Sequence, residues 1–189
     1  GAHEHPTQSL LDCYTITQQL GSVAGKRIVI VGDIKHSRVA RSNIKAFTML
    51  GASVALAAPP TLLPPSMTNW PVDVIMDLDV ALKEADVLYL LRMQLERQEE
   101  SLVPSLREYT NFYGLTTERS RKLQKSSIIM HPGPMNRGVE ISGDVPELPN
   151  TVITNQVENG VVVRMAVLYH LLGSGMAPIG LTHEDGTDD

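Results

Sequence analysis

The chain has 189 residues, 42% of them hydrophobic and 20% charged, the balance of one globular domain with a core of its own. A formal net charge of −5 removes the electrostatic case for nucleic acid and leaves small anions as ligands. The single cysteine, Cys13, excludes an intrachain disulfide and a cysteine metal cluster, and reads as a half-buried thiol on a helix.

In chain order, His5-Pro6-Thr7-Gln8 precedes apolar residues at Leu10, Leu11, Tyr14 and Leu20, then Gly21, which predicts a helix over Thr7–Leu20. Ile28-Val29-Ile30-Val31 is a β-branched run without a polar break, as in a strand buried on both faces of a parallel sheet. A helix from Ser37 to Leu50, closed by Gly51, and a strand over Ala52–Ala57 complete a βαβ unit. Pro59 to Pro65 can be neither regular helix nor central strand and reads as an ordered loop. Asp79–Ala85 is a short helix, Asp86–Leu91 a third buried strand and Ser127–Met130 a fourth, with a fifth expected at Thr151-Val152-Ile153. Residues Gln98 to Lys125 carry weak helical stretches, and Gln156 to Leu172 the strongest helical pattern, closed by Gly173. The alternation predicts an α/β fold with a doubly wound parallel sheet flanked by helices, and an acidic, disordered tail over 176–189.

In such sheets ligands bind beyond the carboxyl ends of the strands. The first strand is followed by Asp33-Ile34-Lys35-His36-Ser37-Arg38, the third by Arg92-Met93-Gln94, and the fourth by His131-Pro132-Gly133-Pro134. Each delivers polar or cationic groups to the same edge. Val31-Gly32-Asp33 lacks the second and third glycines of the dinucleotide fingerprint, so a Rossmann-like sheet without that cofactor is expected. Arg38 and Arg92 suit carboxylates, which a guanidinium grips through two parallel hydrogen bonds; either could instead form a surface salt bridge. Arg41 is read as structural.

His5 and Gln8, three apart at a helix start, can point at one spot near the positive end of the helix dipole, where a neutral imidazole and an amide could donate to an oxygen gaining charge. The alternative is a capping role for Thr7 or His5, with Gln8 solvated. The His131–Pro134 turn has stiff backbone whose carbonyls can accept from an amide or ammonium, or it is a plain turn. The histidines show no metal-ligand spacing, so no metal and no cofactor are expected. With no apolar run of roughly 18 residues and no signal-peptide pattern at Gly1–His5, the chain reads as cytoplasmic, without a membrane partner. Its histidine-rich start runs straight into a helix, as in an excised piece.

These blocks resemble bacterial aspartate carbamoyltransferases: His5–Gln8, Val31–Asn43, Leu91–Arg97, His131–Gly138 and Gln156–Met165, five in the family's order. The resemblance implies transfer of the carbamoyl group from carbamoyl phosphate to L-aspartate, giving N-carbamoyl-L-aspartate and phosphate, an early step of pyrimidine synthesis. It assigns His5 and Gln8 to the carbamoyl group, with His5 catalytic. Arg38 and Arg92 take the aspartate carboxylates with Gln94 as helper, and Gly133 and Pro134 the carbamoyl amino group. Residues 1–175 would be the aspartate-binding half. The family's preceding domain, with its S-x-R-T-R phosphate loop and its serine- and lysine-bearing mobile loop, has no counterpart in these residues. Hence a polypeptide of this length is expected to be nearly inactive alone, its partners being that amino-terminal domain and, in the whole enzyme, two further copies in a trimer. Regulatory chains are not addressed by the sequence. Ornithine carbamoyltransferase, the nearest rival, would carry S-M-G and H-C-L-P, neither of which is found; a non-catalytic binding domain would be expected to lose at least one of His5, Gln8, Arg38 and Arg92.

Overall fold

Buried β-branched runs set the frame, as their sequence requires. A computed structural model describes residues 3–93 and 105–173. Strands β1 (Arg27–Val31), β2 (Ser53–Ala57), β3 (Val72–Val74), β4 (Val87–Leu90) and β5 (Ile128–Met130) form one parallel sheet in the order β3-β2-β1-β4-β5. In the centre, Ile30 of β1 stands opposite Leu56 of β2 and Tyr89 of β4, all buried. Two covered faces explain why β1 and β4 show no alternation of polar residues.

Helix α1 (Pro6–Leu20) has Pro6 at its start, where a missing N–H costs nothing, and stops at Gly21, whose φ of 78° is left-handed. Helix α2 (Arg38–Met49) links β1 to β2 and is capped by Ser37, whose hydroxyl accepts from Ala40 N at 3.1 Å. Helix α3 (Leu78–Glu84) leads into β4, α4 (Leu106–Tyr113) and α5 (Thr117–Ser120) precede β5, and α6 (Ile153–Gly173) ends the described chain. Contacts group α1 with α2 and α6, and α3 with β1, β2 and α5. Right-handed crossovers put α2 and α3 on opposite faces, because one moves the chain outward from β1 and the other returns it across. The sheet is therefore doubly wound, and its order reverses between β1 and β4.

Two sequence expectations change. Thr151 makes only an isolated bridge to Ile129, and Ile153 already opens α6, so no strand forms there; the fifth strand is β3. It follows the proline-rich stretch, which is shaped by two 3-10 turns, Pro60–Leu62 and Pro65–Asn69. Correspondingly, α6 starts three residues earlier than its apolar pattern and includes Gly173. Cys13 is half-buried on α1, as expected, and burial with the neighbouring Asp12 pushes its thiol up to about 12.

Candidate functional site

Since the sheet reverses between β1 and β4, the segments leaving these neighbouring strands part and open a crevice at their carboxyl ends. Asp33 leaves β1 fully buried and turns the loop: its carboxylate accepts from His36 N at 3.2 Å and lies 2.9 Å from His36 Nδ1. His36 thus serves the loop. That turn sets Ser37 to cap α2, and Arg38 takes the first helical position. Gly32, at φ 123°, precedes it; a Cβ there would lie 3.2 Å from Leu91, so close approach of β1 and β4 needs glycine. Arg92 follows the end of β4 by two residues.

Beyond β5, His131 is fully buried and braces the turn that follows. Its Nδ1 accepts from Gly133 N at 2.9 Å, which places the ring proton on Nε2, 3.1 Å from Glu140 Oε1. Glu140 also accepts from Asn136 N at 2.6 Å, and Asn136 Nδ2 donates to Met93 O at 2.9 Å, tying the turn to the segment after Arg92. Gly133 sits at φ 65°, before a cis peptide to Pro134.

An open cavity of about 230 Å³ gathers these parts: His5, Gln8, Arg38, Arg92, Gly133 and Pro134 all line it, with Ser37 and Pro132. Six of the seven sequence-selected residues meet there; Gln94 lies outside the described residues. A second cavity of about 190 Å³ adjoins it through Gln8 and Pro132 and runs between α1 and α6 to Arg164. Arg41 stays apart from the cavity lining and is structural as expected, its guanidinium donating to His3 O at 2.9 Å and Lys35 O at 3.1 Å.

His5 occupies the N-cap position without a side-chain cap bond, and its amide donates to Ser42 Oγ at 2.8 Å. Burial, and then the cations Arg38 and Arg164, hold its imidazole below the ordinary value, so the ring is neutral at pH 7. Gln8 is buried, not solvated. Its Nε2 donates to Asp12 Oδ1 at 3.0 Å, so the amide does not donate into the cavity beside His5 as its spacing suggested; the oxygen is the end turned outward.

Asp12 was not legible as part of this site. It is fully buried on α1 and also accepts from Asn43, Tyr89 and Gln156. Burial pushes its carboxyl up to about 6, the four donors offsetting only part of that cost. The same burial, with the Asp12 charge beside it, raises the Tyr89 phenol well above its usual range. One local signal points to Asp12, a carboxylate four residues after Gln8 and so on the same helix face. Among the described residues, no cluster of three or more His, Cys, Asp or Glu could hold a metal ion, and no helix is long and apolar enough to cross a membrane.

Two guanidinium groups, a neutral imidazole and a braced turn meet at a topological switch point of an α/β domain, the place where such folds hold small ligands. Residues 24–171 match the family described as aspartate/ornithine carbamoyltransferase, Asp/Orn binding domain. The chain belongs to that family. It is 56% identical over 179 residues to the aspartate carbamoyltransferase catalytic subunit of Desulfitobacterium hafniense, a match covering 95% of this chain and 57% of the relative. The Mycolicibacterium smegmatis subunit of the same name is 57% identical over 172 residues, covering 91% and 54%. The chain thus spans little more than half the length of these relatives. Among solved structures, the catalytic subunit of the M. jannaschii aspartate transcarbamoylase superposes with a TM-score of 0.79 at 34% identity, over 94% of this chain and 58% of that one. The Trypanosoma cruzi aspartate transcarbamoylase in complex with aspartate and phosphate gives 0.74 at 32% identity, over 89% and 54%.

Proposed function

We propose that this chain is the aspartate-binding half, residues 1–175, of an aspartate carbamoyltransferase catalytic chain, which transfers the carbamoyl group of carbamoyl phosphate to L-aspartate in pyrimidine synthesis. One observation carries the reading: His5, Gln8, Arg38, Arg92, Gly133 and Pro134 line a single cavity. Two guanidinium groups match a dicarboxylate better than a diamino acid.

In this reading Arg38 and Arg92 grip the aspartate carboxylates, assisted by Gln94, and hold the amine near the carbamoyl carbon. The amine attacks that carbon and the carbonyl oxygen gains charge. Thr7 Oγ1 lies 3.4 Å from His5 Nδ1; a hydroxyl proton donated there leaves the ring proton on Nε2, free to stabilise the oxygen. Gln8 and the Gly133 and Pro134 carbonyls accept from the carbamoyl amino group. The C–O bond to phosphate then breaks, and the departing phosphate takes the amine's proton.

The phosphate needs ligands that these residues do not supply. We therefore expect little or no turnover from the 189-residue polypeptide by itself, and activity once it meets the segment that the relatives carry beyond the matched 57%. A trimer is the expected assembly of the whole enzyme. The test is carbamoyl transfer by this chain co-produced with that segment of the D. hafniense subunit, with aspartate and ornithine offered separately. Activity with aspartate only in the reconstituted pair is the expected result; transfer to ornithine, or silence from a folded, assembled pair, overturns the assignment.

A further inference from the structure

Asp12 lies one turn beyond Gln8 on α1, with no access to solvent. Its Oδ1 accepts from Gln8 Nε2 at 3.0 Å and Gln156 Nε2 at 2.7 Å; its Oδ2 accepts from Asn43 Nδ2 at 2.8 Å and the Tyr89 hydroxyl at 2.6 Å. Each donor belongs to an element that lines the cavity, leads into its lining or braces its turn. Gln8 lines the cavity, Asn43 shares α2 with Arg38, Tyr89 precedes Arg92, and Gln156 holds the start of the His131–Pro134 turn. Nothing in the proposed reaction uses this carboxylate directly.

A carboxylate can only accept, whereas a primary amide has one donor end and one acceptor end. Asp12 therefore forces both glutamines to turn nitrogen inward and oxygen outward. For Gln156 the consequence is visible, since its outward oxygen accepts from His131 N at 3.0 Å. Gln8 lines the cavity, so its outward oxygen is the end a ligand meets.

Resting on the carbamoyltransferase reading above, we propose that Asp12 is a positioning residue that fixes the polarity of Gln8, so that the site offers an acceptor to the carbamoyl amino group. A ligand of the same shape that presents an acceptor there would leave two acceptors facing each other in a desolvated site, which is how a buried polar group discriminates. Four side chains from four elements converge on Asp12, so its charge sets several hydrogen-bond directions together.

A double-substitution cycle on the reconstituted pair tests this, reading kcat/KM for carbamoyl phosphate with Asp12→Asn, Gln8→Ala and both together. Asp12→Asn keeps the shape of the side chain but removes its charge and one of its two acceptor oxygens, so the four donors that meet there can no longer all be held inward, Gln8 Nε2 among them. If Asp12 acts through Gln8, Asp12→Asn costs about tenfold in the unaltered background and less than about threefold beside Gln8→Ala. Equal losses in both backgrounds would mean a structural effect unrelated to Gln8 and overturn the proposal, as would a chain that cannot fold with Asp12→Asn. If the unaltered pair fails to carbamoylate aspartate, it is the functional reading that falls. Polarity is then judged without turnover, from hydrogen exchange of the Gln8 carboxamide followed by NMR. Exchange at least about tenfold faster in Asp12→Asn is expected; equally fast exchange in both chains overturns the proposal.

Discussion

Arg38 and Arg92 reach the cavity from neighbouring strands whose connections run in opposite directions, so each can hold one end of a small dicarboxylate. Both are half-buried, a setting in which a charged hydrogen bond is worth about 1.5–3 kcal/mol. In the proposed binding mode, replacing either by alanine would remove two such bonds from the acceptor. In the reconstituted pair, Arg38→Ala or Arg92→Ala should lower kcat/KM for aspartate by about 10²-fold or more, while the KM for carbamoyl phosphate changes little. Equal damage to both substrates would show that the arginines build the cavity without reading the acceptor. Arg41, three residues along α2 from Arg38, lies outside the cavity lining and braces the chain, its guanidinium donating to the carbonyls of His3 and Lys35.

At the scale of elements, Asp12 joins α1 to α2, β4 and α6, and its raised pKa gives that junction a pH dependence. Its neighbours Tyr89 and Cys13 are raised and stay neutral in the relevant range. The folded chain keeps the Asp12 proton up to about pH 6, whereas the unfolded chain loses it near the ordinary aspartate value of 3.8. Between those values the folded state binds more protons, so this group's stabilisation is complete below the unfolded pKa and is lost as pH rises through the folded one. Asp12→Asn removes the slope. In urea titrations the variant should gain on the unaltered chain from about pH 4 to about pH 7; a difference that stays level across that range would place the carboxyl near its ordinary value.

The elements also show where reading a sequence reaches its limit. β1, β2, β4 and β5 announce themselves because strands buried on both faces need unbroken apolar runs. The three-residue β3 has no such run, since Val72 is only half-buried and Asp73 and Val74 are exposed at the sheet edge. Thr151-Val152-Ile153 has strand composition, but so short a β-branched run can equally open a helix, and here Ile153 does. Arg38, Arg92 and Gly133 can be selected because a parallel sheet presents whatever follows its strands at one edge. His5 and Gln8, in contrast, are singled out by their spacing at a helix start and take their roles from the family resemblance. The Asp12–Gln156 contact cannot be selected, because it joins positions 144 apart and leaves no local periodicity.

For the whole molecule, the outer faces of α1 and α6 stand apart from the rest of the surface. Met165 is 65% exposed, Leu168 57% and Leu172 73%, and a groove of about 610 Å³ between Leu10, Tyr14, Val162 and Val167 continues the apolar strip. Exposed patches of this kind favour association. The 189-residue chain is thus expected to bind an apolar fluorescent dye, and Leu168→Glu with Leu172→Lys to weaken that signal while shifting stability by less than about 1 kcal/mol. An unchanged signal, or a large loss of stability, would place those side chains in a packed core.

Both borders of the sheet are three-residue strands, β3 and β5, and β5 is further flanked by the Thr151 bridge. Few backbone amides and carbonyls are left open for another chain to extend. Any insolubility met when producing this polypeptide should therefore come from side chains meeting side chains along α6, with helical content retained and no cross-β signature in the precipitate. Charges introduced on that helix would cure it, and charges introduced at the sheet borders would not.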